Sequence, residues 1–271
     1  MTTDYNSPVV LPSFDTLLLA MDGTIATVTL NRPAVLNALN AQVFNDLERV
    51  FTFLAQNSVV RVILITGAGP KAFAAGADIT ELAHTDASSG EDLSLRGQHV
   101  FALIESSKRP VIACINGFAL GGGCELALAC TFRLAADTAR LGQPEVKLGL
   151  LPGYGGTQRL PRLVGQSAAL KLILTGEIIP ATEALRIGLV DEIIPVSELM
   201  ERGQALANTI AAHGPLAVEA SIEAVQSGLA LHLDEGLALE ASLFGRLSHT
   251  ADKHEGVQAF LEKRKPAFLG R

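Results

Sequence analysis

Leu120-Gly-Gly-Gly-Cys-Glu125 is the stretch from which the rest of this chain can be read. Ahead of it, Val111-Ile-Ala-Cys-Ile115 is a short run rich in branched apolar residues. It is entered through Pro110 and left through Asn116-Gly117, the pattern of a buried strand. Behind it, Cys124-Glu-Leu-Ala-Leu-Ala-Cys130 is rich in alanine and leucine and reads as a helix. A strand that feeds a helix through a glycine turn leaves the first backbone N–H groups of the helix unpaired and able to face a ligand. Glu125 falls in the first helical turn, beside those donors. The combination suits an oxygen that gains negative charge while a carboxylate moves a proton nearby. Close strand–helix packing also uses glycines, and a glutamate in a first turn also complements the helix dipole.

Glu145 tips the balance toward chemistry. It follows Gly142-Gln-Pro in an apolar neighbourhood, residues 141–151. A second glycine turn, Pro152-Gly-Tyr-Gly-Gly-Thr-Gln158, comes directly after. Two carboxylates beside glycine loops are the components of general acid/base catalysis, although spacing along the chain does not by itself bring them together.

The whole chain sets the bounds. Its 271 residues can bury a substantial core. With 48% apolar and 18% charged residues it has a globular composition, and the absence of tryptophan points to an aliphatic core. A net charge of −7 disfavours non-specific nucleic-acid binding. No apolar run approaches membrane-spanning length, and residues 1–12 lack the basic head and apolar centre of a secretory signal. The three cysteines, Cys114, Cys124 and Cys130, lie in one apolar stretch without metal-ligand spacing. They read as buried reduced thiols of a cytoplasmic protein.

Along the chain, residues 16–30 predict a hairpin turning at Asp22-Gly23. A helix is expected after the cap Asn40, with Val43, Leu47, Val50, Phe51 and Leu54 on its buried face. Residues 59–66 read as a short strand. Residues 71–79 read as a loop or short strand that runs into a brief helix at 78–82. Residues 85–90, small and polar, are expected to be a mobile loop, with a helix from about 91 to 106. Further on, a strand is expected at 132–136, helices at 158–163, 167–174 and 181–187, and a strand at 189–194. Four helices then follow without intervening strands, at 197–212, 215–227, 234–247 and 252–263. The expected organisation is a tail over residues 1–13, an α/β core over 14–196 and a helical region over 197–271.

Several motifs fail. Gly67-Ala-Gly69 follows a strand, but position 72 is alanine, so the dinucleotide fingerprint is incomplete. There is no Walker A loop. Gly165-Gln-Ser-Ala-Ala169 lacks the second glycine of a nucleophile elbow.

Taken together, the blocks resemble the crotonase (enoyl-CoA hydratase/isomerase) superfamily. Those blocks are Leu30-Asn-Arg-Pro-Ala-Val-Leu-Asn-Ala-Leu39, Lys71-Ala-Phe-Ala-Ala-Gly-Ala-Asp-Ile79, Asn116-Gly-Phe-Ala-Leu-Gly-Gly-Gly-Cys-Glu-Leu126, and Gly142-Gln-Pro-Glu145 with Leu151-Pro-Gly-Tyr-Gly-Gly-Thr-Gln-Arg-Leu160. The C-terminal Gln258-Ala-Phe-Leu-Glu-Lys-Arg-Lys-Pro-Ala-Phe268 also looks like the family's ending. The resemblance implies a spiral of ββα units with a C-terminal helical trimerisation region, assembled as a homotrimer or as a homohexamer built from two trimers. It also implies an acyl-CoA substrate whose thioester oxygen sits between the backbone N–H groups of Ala77 and Gly122. Ala77, Asp78, Ile79 and Thr80 would border the substrate, and Gly153 would leave room beside the reacting water.

Hydratases of the family carry both glutamates, whereas single-base isomerases keep the one that corresponds to Glu145. The implied reaction is therefore syn addition of water across the C2=C3 bond of a trans-2-enoyl-CoA, as in fatty acid β-oxidation. Glu125 would be the base and Glu145 the acid, labels that belong to the coupled pair. No metal and no cofactor beyond the CoA of the substrate is implied. Val35 departs from the polar residue many relatives carry near the CoA, and Tyr154 replaces a smaller residue of some relatives. The alternatives are an enoyl-CoA isomerase, another enzyme acting on CoA thioesters, and a non-enzymatic RNA-binding member of the fold. The acidic charge and the two retained glutamates weigh against the last.

Overall fold

The computed structural model describes residues 11–271. Of the tail expected over residues 1–13, residues 1–10 lie outside that range, as does most of the stretch read for a signal.

The elements in order are β1 (Leu17–Asp22), β2 (Ile25–Leu30), α1 (Ala41–Gln56), β3 (Val62–Gly67), β4 (Ala72–Ala74), α2 (Ile79–Leu82) and α3 (Ala87–Glu105). Next come β5 (Val111–Ile115), β6 (Phe118–Leu120), α4 (Gly122–Leu128), β7 (Phe132–Ala136), β8 (Arg140–Gly142), α5 (Gly156–Val164), α6 (Gln166–Thr175), β9 (Ile178–Pro180), α7 (Ala181–Arg186) and β10 (Glu192–Ile194). The helices α8 (Leu199–Ala211), α9 (Pro215–Gly228), α10 (Leu233–Leu247) and α11 (Ala251–Glu262) complete the chain.

The strands form two sheets. One has six strands in the order β1-β2-β3-β5-β7-β10, and the other has four in the order β4-β6-β8-β9. Successive turns of chain place one strand in each sheet: β3 then β4, β5 then β6, β7 then β8. β3, β5 and β7 are parallel neighbours in the large sheet, while β4, β6 and β8 are parallel neighbours in the small one. Helices follow each pair of strands, so the chain winds as a spiral of ββα units. β3 and β5 are buried along their whole length, which is why they read as continuous apolar runs rather than alternating ones.

The first of the quoted blocks, residues 30–39, acts as scaffold. Asn37, buried and at φ 57°, donates from Nδ2 to the carbonyls of Ala68 (3.0 Å) and Ala72 (2.8 Å). The Ala75 N–H bonds to Leu36 O, Leu39 N–H to Gly76 O and Asp78 N–H to Leu39 O, which pins residues 75–78 beside that block. Behind it, α1 is capped by Asn40, whose side chain accepts the Val43 N–H at 3.0 Å, and it buries the apolar face expected of it.

The structure departs from the sequence reading in two places. Of residues 85–90, expected to be a loop, 87–90 are helical: α3 starts at Ala87 under a capping box in which Asp86 and Ser89 bond each other's backbone. Three short strands, β6, β8 and β9, were not anticipated. Each is three residues long, too short for a period of two to show.

α8 lies on the large sheet, close enough that a Cβ at Gly203 would come within 2.6 Å of Cys114 Sγ. The end of the chain folds back on the body. Arg61 donates to the carbonyls of Ala211 (2.9 Å) and Phe268 (2.7 Å), and the Asp252 carboxylate accepts the N–H groups of Leu269 and Gly270. No helix among the described residues is long and apolar enough to cross a membrane.

Candidate active site

The register of the small sheet sets the site. Ala74 pairs with Ala119 across β4 and β6. Three residues further along each strand lie Ala77 and Gly122, so the two positions leave the sheet side by side. Gly122 is the first residue of α4, where no intrahelical partner exists for its N–H. The Ala77 N–H donates to no acceptor among the described residues, although its neighbours Gly76 and Asp78 are both bonded to Leu39. Both residues line a mostly apolar cleft of about 180 Å³, together with Glu125, Glu145, Gly153 and Tyr154.

Each of the three glycines answers a different contact. Gly121 has φ 50°, and a Cβ there would lie 2.6 Å from Glu145 Oε1. A Cβ at Gly122 would press on the Tyr154 ring at 3.0 Å, and one at Gly123 would overlap the Ala74 carbonyl at 1.9 Å. The triplet is thus both a turn and a close approach of α4 to β4, with the second carboxylate laid across it.

Glu125 is 1% exposed. Its Oε1 accepts the backbone N–H groups of Tyr154 (2.8 Å) and Gly156 (2.6 Å), while Oε2 accepts no hydrogen bond among the described residues. Gly156 is the first residue of α5, so that helix directs its N-terminus at the carboxylate. Burial nevertheless pushes the carboxyl up to about 7; the two N–H bonds and Arg159 oppose the shift, and Glu145 adds to it. Glu145 opens a 3-10 turn, Glu145–Leu148, and is also pushed up to about 7 by burial. Two neighbouring carboxyls that both titrate near neutrality hold about one proton between them.

Gln143, fully buried, faces Glu145. With its amide turned so that Nε2 points to the carboxylate it donates at 3.0 and 3.2 Å. In the opposite orientation its oxygen faces the carboxyl, which is satisfied only when Glu145 carries a proton. The two orientations therefore match the two protonation states.

The turn 152–156 is fixed from behind by aromatic packing. The Tyr154 ring meets Phe44 of α1 edge-on with centroids 5.1 Å apart, and Phe101 of α3 at 5.9 Å. Gly97 of α3 leaves space for that ring, since a Cβ would sit 2.2 Å from it.

Of the residues singled out from the sequence, Ala77, Gly122, Glu125, Glu145, Gly153 and Ile79 meet at the cleft. Asp78 and Thr80 do not line it. Asp78 caps α2, accepting the Thr80 hydroxyl at 2.7 Å and pairing with Arg32 at 3.2 Å. The donors that grip Glu125 lie on Tyr154 and Gly156. Sequence reasoning missed these and also Gln143; the glycine turn after Glu145 was the only available signal for the former, and the quoted block Gly142-Gln-Pro-Glu145 for the latter. Val35 is 47% exposed.

Comparison with known proteins gives a consistent picture. A family model described as Enoyl-CoA hydratase/isomerase matches residues 20–271. A short-chain-enoyl-CoA hydratase of Clostridium acetobutylicum is 45% identical over 249 residues, covering 92% of this chain and 95% of that protein. A crotonyl-CoA hydratase of Syntrophomonas wolfei is 43% identical over 259 residues, covering 96% of this chain and 100% of that protein. Among solved structures, an enoyl-CoA hydratase from Bacillus anthracis superposes with a TM-score of 0.92 at 40% identity, covering 95% of this chain and 100% of its own.

Proposed function

The chain belongs to the enoyl-CoA hydratase/isomerase family, and on that premise we propose that it is an enoyl-CoA hydratase, adding water syn across the C2=C3 bond of a trans-2-enoyl-CoA to give a 3-hydroxyacyl-CoA. The observation that carries this reading is the meeting of Glu125 and Glu145 in one cleft beside two backbone N–H groups that have no acceptor among the described residues.

The N–H groups of Ala77 and Gly122 receive the thioester oxygen and stabilise the enolate charge that develops on it. Glu125, steadied through Oε1, uses Oε2 to take a proton from the water whose oxygen bonds to C3. Glu145 delivers its proton to C2. One proton is gained at Glu125 and one lost at Glu145, so exchange with solvent restores the starting state. No electron changes hands, and the thioester itself supplies the activation, so no redox cofactor or metal enters the scheme. The short-chain-enoyl-CoA and crotonyl-CoA hydratases among the relatives support a small acyl group.

A spectrophotometric assay with crotonyl-CoA, then with longer enoyl-CoAs, tests the proposal. Loss of the conjugated-enoyl absorbance is expected. Migration of a 3-enoyl double bond without hydration would assign the chain to the isomerases, and RNA retention without turnover would assign it to the binders.

The helical region 197–271 is assigned to self-assembly, as a trimer or hexamer. Supporting this, Leu229, Leu233, Phe244, Phe260 and Leu261 are each at least 70% exposed in the single chain, a density of bare apolar surface typical of subunit contacts. Light scattering at micromolar concentration that shows a monomer would reject it. Three buried free thiols support a cytoplasmic location.

A further inference from the structure

The two peptide units whose N–H groups hold Glu125 both have their carbonyls engaged on the far side. For Gly156 the carbonyl is that of Gly155, which accepts the Gln158 and Arg159 N–H groups as α5 begins (3.0 and 2.8 Å). For Tyr154 it is the carbonyl of Gly153, which lies outside any helix and has no such backbone partner among the described residues. There α3 supplies side chains instead. The Ser94 hydroxyl donates to Gly153 O at 2.5 Å, Gln98 Nε2 donates to the same oxygen at 3.0 Å, and Gln98 Nε2 also donates to Ser94 Oγ at 3.0 Å. Ser94 and Gln98 are four residues apart, so they stand on one face of α3.

We propose that Ser94 and Gln98 are positioning residues for Glu125, acting through the Gly153–Tyr154 peptide unit. A peptide group is planar, so fixing the carbonyl oxygen fixes the direction of the N–H on its other side. Drawing electron density toward that oxygen also makes the N–H a stronger donor, by about 10–30% per bond in a chain of hydrogen bonds. The N–H in question ends on Glu125 Oε1 at 2.8 Å. Loss of the two α3 donors therefore weakens the grip on the ionised carboxylate and lets its oxygen pair rotate. Other groups facing Glu125 stay in place: Glu145 from the 3-10 turn, Arg159 from α5, the Tyr154 phenol and the Cys124 thiol. A difference between variants thus isolates the α3 contribution. The catalytic consequence rests on the hydratase reading; the effect on Glu125 does not.

Ser94→Ala, Gln98→Leu and the double variant are compared with wild type by two readouts. One is crotonyl-CoA hydration across pH, and the other is a ¹³C NMR titration of the Glu125 carboxyl, assigned with Glu125→Gln. The double variant is expected to lose roughly tenfold in kcat with KM within about twofold. Its Glu125 titration and the acidic limb of kcat/KM are expected to move up together by about half a pH unit. Ser94→Thr, which keeps the hydroxyl, should restore both. Gln98 is exposed, so Gln98→Leu provides a variant that folds even if Ser94→Ala does not. An unchanged Glu125 titration in folded variants overturns the proposal, as does a loss of kcat without a shift in the limb. If wild type hydrates no enoyl-CoA, the hydratase reading falls and the NMR titration still decides the role of Ser94 and Gln98.

Discussion

Glu125 and Glu145 reach the same cleft from backbones of opposite character. Glu125 sits in the first turn of α4 and is gripped through one oxygen by two N–H groups of the turn 152–156, one of them the N-terminus of α5. Glu145 opens a short 3-10 turn, lies over Gly121 and faces the Gln143 amide, a side chain that can adapt to either charge state. Burial raises both carboxyls by a similar amount, yet the anion of Glu125 is favoured by two N–H groups of a separate turn, whereas that of Glu145 is favoured by its own backbone N–H. Similar acidities thus arise from different surroundings: one carboxylate is organised for holding negative charge, the other for changing protonation. That division is the one the proposed roles of base and acid require.

The sharpest way to break the comparison is to remove each carboxylate in turn. Glu125→Gln and Glu145→Gln keep size and are each expected to lower crotonyl-CoA hydration by about two to four orders of magnitude, with little change in acyl-CoA affinity. The double variant should be little worse than either single one. Full hydration by Glu125→Gln would remove it from the mechanism, whereas a mild loss there beside a crippled Glu145→Gln points to isomerase chemistry.

A step smaller is the loss of one backbone donor. Ala77→Pro deletes the N–H that serves neither carboxylate and should lower turnover by about two to three orders of magnitude. Circular dichroism must show the variant folded. Near-normal rates in that state would place the oxyanion elsewhere and leave the carboxylate comparison as the whole of the site.

The smallest expected effect is on stability. In the unfolded chain both carboxyls titrate near ~4.3, and in the folded protein near 7. Between those values the folded state keeps protons that the unfolded state has released, so the pair makes stability fall as pH rises through that window. Replacing both by glutamine removes this dependence. Urea denaturation should find the double variant close to wild type at pH 4 and more stable by roughly 2–4 kcal/mol at pH 8, about half of the ~7 kcal/mol to which two such shifts sum, because solvent in the open cleft screens the charged pair. Equal stability at pH 8 would mean that the two carboxyls ionise together without strain.

The glycine turns were the most legible part of the sequence, because a Gly triplet between an apolar strand and an alanine-rich helix has few structural uses. β3 and β5 were legible for a related reason: buried on both faces, they carry apolar runs, 62–65 and 111–115, with no alternation. Other features depend on partners distant in the chain. β6 and β8 are strands only because β4 and β9 lie beside them. Residues 85–90 read as a loop because the stretch is small and polar, while the cap that starts α3 uses Ser89 in a place where glutamate or glutamine is the usual signal. The grip on Glu125 by residues 29 and 31 positions later in the chain, and the support of that grip from α3, have no periodic signature at all.

The cysteines, which take no part in the proposed reaction, carry one more consequence. Cys114, Cys124 and Cys130 are all free and buried, and burial pushes each thiol up to about 12. At pH 7 the thiolate fraction in the closed protein is on the order of 10⁻⁵, so alkylating reagents must wait for the chain to open. Each thiol reports a different opening. Cys114 is shielded by α8 lying over the large sheet, Cys124 by the join of α4 to β4, and Cys130 by the far end of α4. Labelling followed residue by residue would therefore act as a clock on three separate seams of the fold. The order in which they yield would tell whether the covering helix α8 lifts before the join of α4 to β4 comes apart.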